Sequence, residues 1–182
     1  MSRYYRKVSM KSIVVFIGLF LATSMLQAAP IVKGIDAVSV SYGQSKDNIN
    51  VYRLSVRDSF NQEWAKSNIG YFDGYFELSA NYFEKDSDSN FGIALSPVFT
   101  YNFTLGKLQP YIEGGIGVSL WSDTMIAGRN LSSKFLFEDR IGFGLKYENY
   151  DFSFRYMHYS NAGIVQPNSG IDIFIASITY KF

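Results

Sequence analysis

Phe72-Asp73-Gly74-Tyr75-Phe76-Glu77-Leu78-Ser79-Ala80-Asn81-Tyr82 alternates along its whole length. Phe72, Gly74, Phe76, Leu78, Ala80 and Tyr82 share one parity, and Asp73, Tyr75, Glu77, Ser79 and Asn81 share the other. Successive side chains of an extended strand leave opposite faces, so this stretch has one greasy face and one polar face. Residues 91 to 103 repeat the scheme: Phe91, Ile93, Leu95, Pro97, Phe99, Tyr101 and Phe103 oppose Gly92, Ala94, Ser96, Val98, Thr100 and Asn102. A period of two predicts strands.

The alternation recurs at 32 to 43, 48 to 57, 108 to 120, 133 to 147, 150 to 162 and 171 to 182, which makes eight strands. In a soluble sandwich the apolar faces would meet in a core. Here those faces are too large and aromatic, and the opposite faces carry too much charge. A membrane barrel reverses the arrangement, with apolar side chains toward lipid and Arg53, Glu77, Glu113, Glu138, Arg140 and Arg155 turned inward to pair. The predicted fold is therefore all-β, an eight-stranded antiparallel transmembrane β-barrel filled by side chains, not an open pore. The last strand places Phe174, Ala176, Ile178, Tyr180 and Phe182 on one face and ends on an aromatic residue, as bacterial outer-membrane barrels do.

With both termini in the periplasm, outer loops fall near 44 to 47, 84 to 90, 121 to 132 and 163 to 170. Inner turns fall near 58 to 70, 104 to 107 and 148 to 149. The segment 58 to 70 is long for an inner turn, and Asn61 to Lys66 is read as one helical turn. The acidic run 84 to 90 lacks the glycine and closing glutamate of a calcium loop and reads as a solvated tip.

The chain has 182 residues, room for one domain. Residues 1 to 28 read as a cleavable signal peptide: Arg3, Arg6, Lys7 and Lys11 precede the apolar run 13 to 22, which is short for a membrane span, and Ala28 is small enough for a cut. The barrel then occupies 29 to 182, in the outer membrane. Four of the 17 Lys+Arg and none of the 16 Asp+Glu lie in the leader, so the mature charge is −3, a balance that argues against nucleic acid. No cysteine is present, which excludes disulfides and thiolate metal sites.

His158 is the only histidine and stands two residues before Ser160, so the two share a strand face. Their parity is that of Phe152, Phe154 and Tyr156, the lipid-facing set, and Asp172 has the outward parity of the last strand. A lone histidine in a strand is usually a polar residue that has found a partner. A histidine, a serine and a carboxylate together on a lipid-facing wall, at its outer end, are harder to explain structurally, since polar groups there lose hydration without assured partners. They are also the parts of an activated nucleophile, set at the depth of lipid headgroups and their ester linkages. Asp139 has outward parity too, and a bulge that rotates it inward is favoured over a role beside the site. Glycines 115, 117, 142 and 144 lack a following helix and read as packing glycines, and no G-x-S-x-G elbow is present.

The stretch His158-Tyr159-Ser160-Asn161-Ala162, followed by Pro167-Asn168 and Gly170, resembles the signature of the PagL family, outer-membrane lipid A 3-O-deacylases. The resemblance implies His158 as general base, Ser160 as nucleophile and the acid of the last strand as orienting member. The family pattern carries glutamate where this chain has Asp172, and the shorter side chain requires a different approach of the backbone. By the same resemblance Asn161 donates to the oxyanion together with backbone N–H groups of Ala162 and Gly163. The expected function is hydrolysis of the 3-O-linked acyl chain of lipid A in the outer leaflet, with acyl chains lying along Phe152, Phe154 and Tyr156 and with no metal or organic cofactor. Lipid A and the surrounding outer-membrane lipids are the expected partners, and a homodimer is left open. The rival readings are a non-catalytic barrel for adhesion or membrane integrity, which its short outer loops argue against, and a lipid A acyltransferase, which normally needs an acyl pocket inside the barrel.

Overall fold

The structure is a computed structural model and describes residues 34–182. The segment read as a signal peptide lies outside the described residues. The strands are β1 (Ala37–Ser45), β2 (Asn50–Ser59), β3 (Gly70–Lys85), β4 (Asp88–Phe103), β5 (Leu108–Trp121), β6 (Met125–Ile126), β7 (Arg129–Asn130), β8 (Phe135–Tyr147), β9 (Tyr150–Ser160) and β10 (Ile171–Lys181). Eight of them form a closed barrel in the order β1-β10-β9-β8-β5-β4-β3-β2, all neighbours antiparallel, while β6 and β7 make a separate small hairpin. Closure comes from β1 pairing β10, with Ala37 opposite Lys181 and Ser45 opposite Ile173. A closed ladder leaves no unpaired edge, the condition for strands to cross lipid.

The parities fall as the alternation predicts. Phe76, Leu78, Ile93, Phe99, Ile112, Ile116, Ile141, Phe143 and Phe174 are exposed on the outer wall. Arg53, Glu77, Glu113, Glu138, Arg140 and Arg155 are all buried in the lumen. There Arg53 bridges Glu77 (2.7 Å) and Glu138 (2.8 Å), and Arg140 reaches the same two carboxylates. Arg57 joins Glu77 (3.2 Å) to Asp151 (2.7 Å), and Arg155 pairs with Glu113. Each charge is matched by opposite charge on another strand, as the desolvation of buried ions demands.

Toward the outer end the lumen turns apolar. Phe83, Trp121, Met157, Tyr159, Ile171 and Ile173 cluster with Ile126 and Leu131, both fully buried. The last two come from the loop that carries β6 and β7, so this hairpin caps the barrel with an apolar plug. No periodicity in 121 to 132 announces it.

Two expectations for the connections are corrected. Residues 60–69 contain no helix; Phe60 folds against the outer wall, its ring 5.1 Å from Phe76 and 5.7 Å from Phe99, and Trp64 bridges Phe72. Apolar contact with that wall outweighs the weak local helix preference. The tip at 84 to 90 is also tighter than read, since β3 and β4 pair out to Lys85 and Asp88 and leave a two-residue turn with Asp86 at φ 52°.

Candidate active site

At the outer end of β9 and β10 the ladder sets Asp172 directly opposite His158. Directly opposed residues bring their Cβ atoms to about 5 Å, within reach of an aspartate side chain. His158 Nδ1 lies 2.7 Å from Asp172 Oδ1. Because a carboxylate only accepts, the proton between them sits on Nδ1, which in the neutral imidazole leaves the lone pair on Nε2. The Tyr156 hydroxyl donates to the same Oδ1 at 2.7 Å, and Lys46 Nζ stands 3.7 Å from Oδ2. The His158 and Asp172 side chains are about one-third exposed, at 37% and 32%, on the outer wall.

Tyr156 and Lys46 were not expected around the acid. Tyr156 is the diagonal neighbour of Asp172, its own partner being Phe174. Lys46 follows Ser45, which faces Ile173, so one more step of the β1–β10 ladder brings it to Asp172. Both are legible once strand registers are known.

Ser160 shares the outward face with His158 but is nearly covered, at 9% exposure. Its Oγ accepts a hydrogen bond from Ala162 N–H at 3.3 Å and makes none with His158. The chain then turns: Ile164 N–H donates to Asn161 O at 3.1 Å, with φ of 54° at Ala162 and 77° at Gly163. Positive φ at both central residues is the signature of a type I′ turn. It aims the Ala162 N–H at the serine, and the Gly163 N–H has no partner among the described residues.

Asn161 is placed differently from the expectation. Its side chain is buried, and Nδ2 donates to Leu131 O at 2.8 Å and Val165 O at 2.9 Å. Both amide hydrogens are thus engaged in holding the 161–170 loop, and the donors near Ser160 are backbone groups.

Asp139 is likewise corrected. The β8 ladder runs without a bulge, pairing Asp139 with Ile116 on one side and His158 on the other. It stays outward and makes no hydrogen bond or ion pair among the described residues. The imidazole therefore has a carboxylate residue on each neighbouring strand and is bonded to one of them, Asp172.

Toward the periplasm from His158, Phe152 and Phe154 lie exposed on the wall, Phe154 stacked on Phe174 at 6.1 Å and Tyr156 against it at 5.5 Å. The whole constellation occupies an apolar stripe that meets polar groups at its outer end.

A family model described as lipid A 3-O-deacylase (PagL) matches residues 50–181. A lipid A deacylase PagL of Pseudomonas aeruginosa is 37% identical over 147 residues, 79% of this chain and 84% of the relative. Another from Bordetella bronchiseptica is 34% identical over 170 residues, 90% of this chain and 92% of the relative. A crystal structure of the outer membrane enzyme PagL superposes with a TM-score of 0.77 at 34% identity, covering 80% of this chain and 99% of that one.

Proposed function

This chain belongs to the PagL family, the lipid A 3-O-deacylases of the outer membrane, and from that premise we propose that His158, Ser160 and Asp172 carry out the hydrolysis. Lipid A is its substrate, and the reaction is cleavage of the ester at position 3. In the reading offered here, Ser160 Oγ attacks the acyl carbonyl while His158 Nε2 takes its proton. Asp172 holds the ring in the required tautomer and stabilises the imidazolium that forms. The backbone N–H groups of Ala162 and Gly163 face the developing oxyanion, and Asn161 contributes by fixing the turn that presents them. The imidazolium then returns its proton to the leaving sugar hydroxyl. Water activated by the same imidazole releases the acyl group from Ser160 as a free fatty acid. Side chains, backbone and water suffice for every step.

The step requires Ser160 Oγ to rotate from Ala162 N–H toward the imidazole. Same-face residues two apart on a strand are separated by about 6.7 Å, a gap that a histidine leaning along the strand closes to hydrogen-bond reach. Such rotamer changes are fast, and catalytic hydrogen bonds often tighten only with substrate bound. Substrate arrives by lateral diffusion in the outer leaflet, its acyl chains against Phe152, Phe154 and Tyr156.

The observation that carries this reading is the 2.7 Å His158–Asp172 contact on the lipid-facing wall, beside a serine on the same face. Covalent labelling tests it. A fluorophosphonate ester is expected to modify Ser160 of the folded barrel, located by peptide mass spectrometry, and to label His158→Ala far more slowly. Labelling elsewhere, or at equal rate in both, would contradict the assignment.

A further inference from the structure

We infer that Arg129, outside the Ser-His-Asp set, is a positioning residue that holds the loop over His158 in its working geometry. This rests on the site reading above. Arg129 lies on β7, and its Nη1 donates to Ser169 O at 2.8 Å and to Gly170 O at 2.7 Å. These carbonyls belong to the last two residues before β10. Gly170, at φ 54°, lies against the imidazole: a Cβ there would stand 3.0 Å from His158 Cε1 and 3.5 Å from Nε2. The backbone that Arg129 grips is therefore the backbone that limits where the ring can go.

The guanidinium is itself braced. Its Nε donates to Asp47 Oδ2 at 2.5 Å, and Asp47 follows Lys46, the lysine beside Asp172. One side chain thus ties together the β1–β2 turn, the loop between β5 and β8, and the loop between β9 and β10. Two more bonds join the same hairpin to the same loop: Ser169 N–H to Asn130 O at 3.2 Å, and Asn161 Nδ2 to Leu131 O at 2.8 Å. Ile126 and Leu131 root the hairpin among Tyr159 and Ile171, the inward neighbours of His158, Ser160 and Asp172 in sequence. Within this hairpin, Arg129 is the residue that bonds Gly170, the residue lying against the imidazole. A planar fork with several donors can grip two carbonyls and a carboxylate at once; an ammonium cannot do so in the same geometry.

The test is steady-state deacylation of purified lipopolysaccharide in detergent by the full barrel, with rates normalised to the folded fraction seen by heat-modifiable gel mobility. Arg129→Ala is expected to lower kcat by about 10- to 100-fold, the cost typical of a misplaced catalytic geometry, with KM within about twofold. Arg129→Lys is expected to recover part of that loss. A merely structural role would change the folded fraction and leave kcat per folded barrel untouched, and that result overturns the inference. If Arg129→Ala yields no folded barrel, Arg129→Lys decides, since wild-type kcat in that variant is equally fatal. Ser160→Ala runs alongside: if it stays active, the site reading fails, whereas an inactive Ser160→Ala beside a fully active Arg129→Ala removes only the role given to Arg129.

Discussion

Asp172→Asn separates the charge of the orienting acid from its shape. In the wild type, proton transfer to Nε2 creates an imidazolium whose Nδ1 lies 2.7 Å from Asp172 Oδ1. At that distance opposite unit charges attract by about 6 kcal/mol at an effective dielectric of 20 and by about 1.5 kcal/mol in bulk water. The pair is about one-third exposed, so solvent removes part of the larger figure, and about 2–4 kcal/mol of transition-state stabilisation is the working value. Asparagine keeps an oxygen for Tyr156 and for Nδ1–H, so the barrel and the registers are expected to persist. The conversion of about 1.36 kcal/mol per decade gives a fall of roughly 30- to 1,000-fold in kcat. The assay is release of fatty acid from purified lipopolysaccharide, per folded barrel, with Asp139→Asn as the companion. Asp139 is the β8 ladder partner of His158 and does not bond it, and its neutralisation is expected to change kcat by less than about threefold, within the range of an unpaired surface charge. A rate for Asp172→Asn within threefold of wild type, or a larger loss in Asp139→Asn, would refute the reasoning.

Tyr156→Phe removes one of the two hydrogen bonds to Asp172 Oδ1. A bond to a charged group contributes about 1.5–3 kcal/mol, discounted here for exposure, so kcat per folded barrel is expected to fall about 3- to 30-fold; an unaltered kcat would leave the tyrosine as wall only. Glu138→Ala leaves Arg53 and Arg140 with one buried carboxylate partner fewer. Breaking a buried network this way costs about 3–5 kcal/mol, seen as a lower urea midpoint in lipid vesicles, and an unchanged midpoint would mean that the lumenal charges are screened by water.

The wall of the barrel was legible because its alternation is strict. From Phe72 to Tyr82 each parity holds one chemical class, and a register slip of one residue would put Glu77 in lipid. The inward charges followed from that parity, and so did the outward placement of His158, Ser160 and Asp172. Loops have no such period. Nothing local marks Ile126 and Leu131 as a plug, since their burial is defined by strands far away in sequence. Asn161 reads as a donor beside a serine, yet its amide is held by Leu131 O, thirty residues earlier. An outward carboxylate is costly on a lipid-facing wall, which is why a bulge is expected at Asp139, whereas the ladder passes through it unchanged. The helical turn expected over Asn61 to Lys66 does not form, because Trp64 and the preceding Phe60 find on the outer wall of β3 and β4 an apolar contact that an isolated turn lacks.

The central claim is that Ser160, presented to the outer leaflet beside an Asp172-bound imidazole, is the nucleophile. Mass spectrometry of lipid A extracted from cells producing either the wild type or Ser160→Ala at equal outer-membrane levels tests it most directly. Lipid A lacking the 3-O-linked acyl chain is expected with the wild type, and fully acylated lipid A with the variant. Loss of that chain in cells carrying folded Ser160→Ala would contradict it.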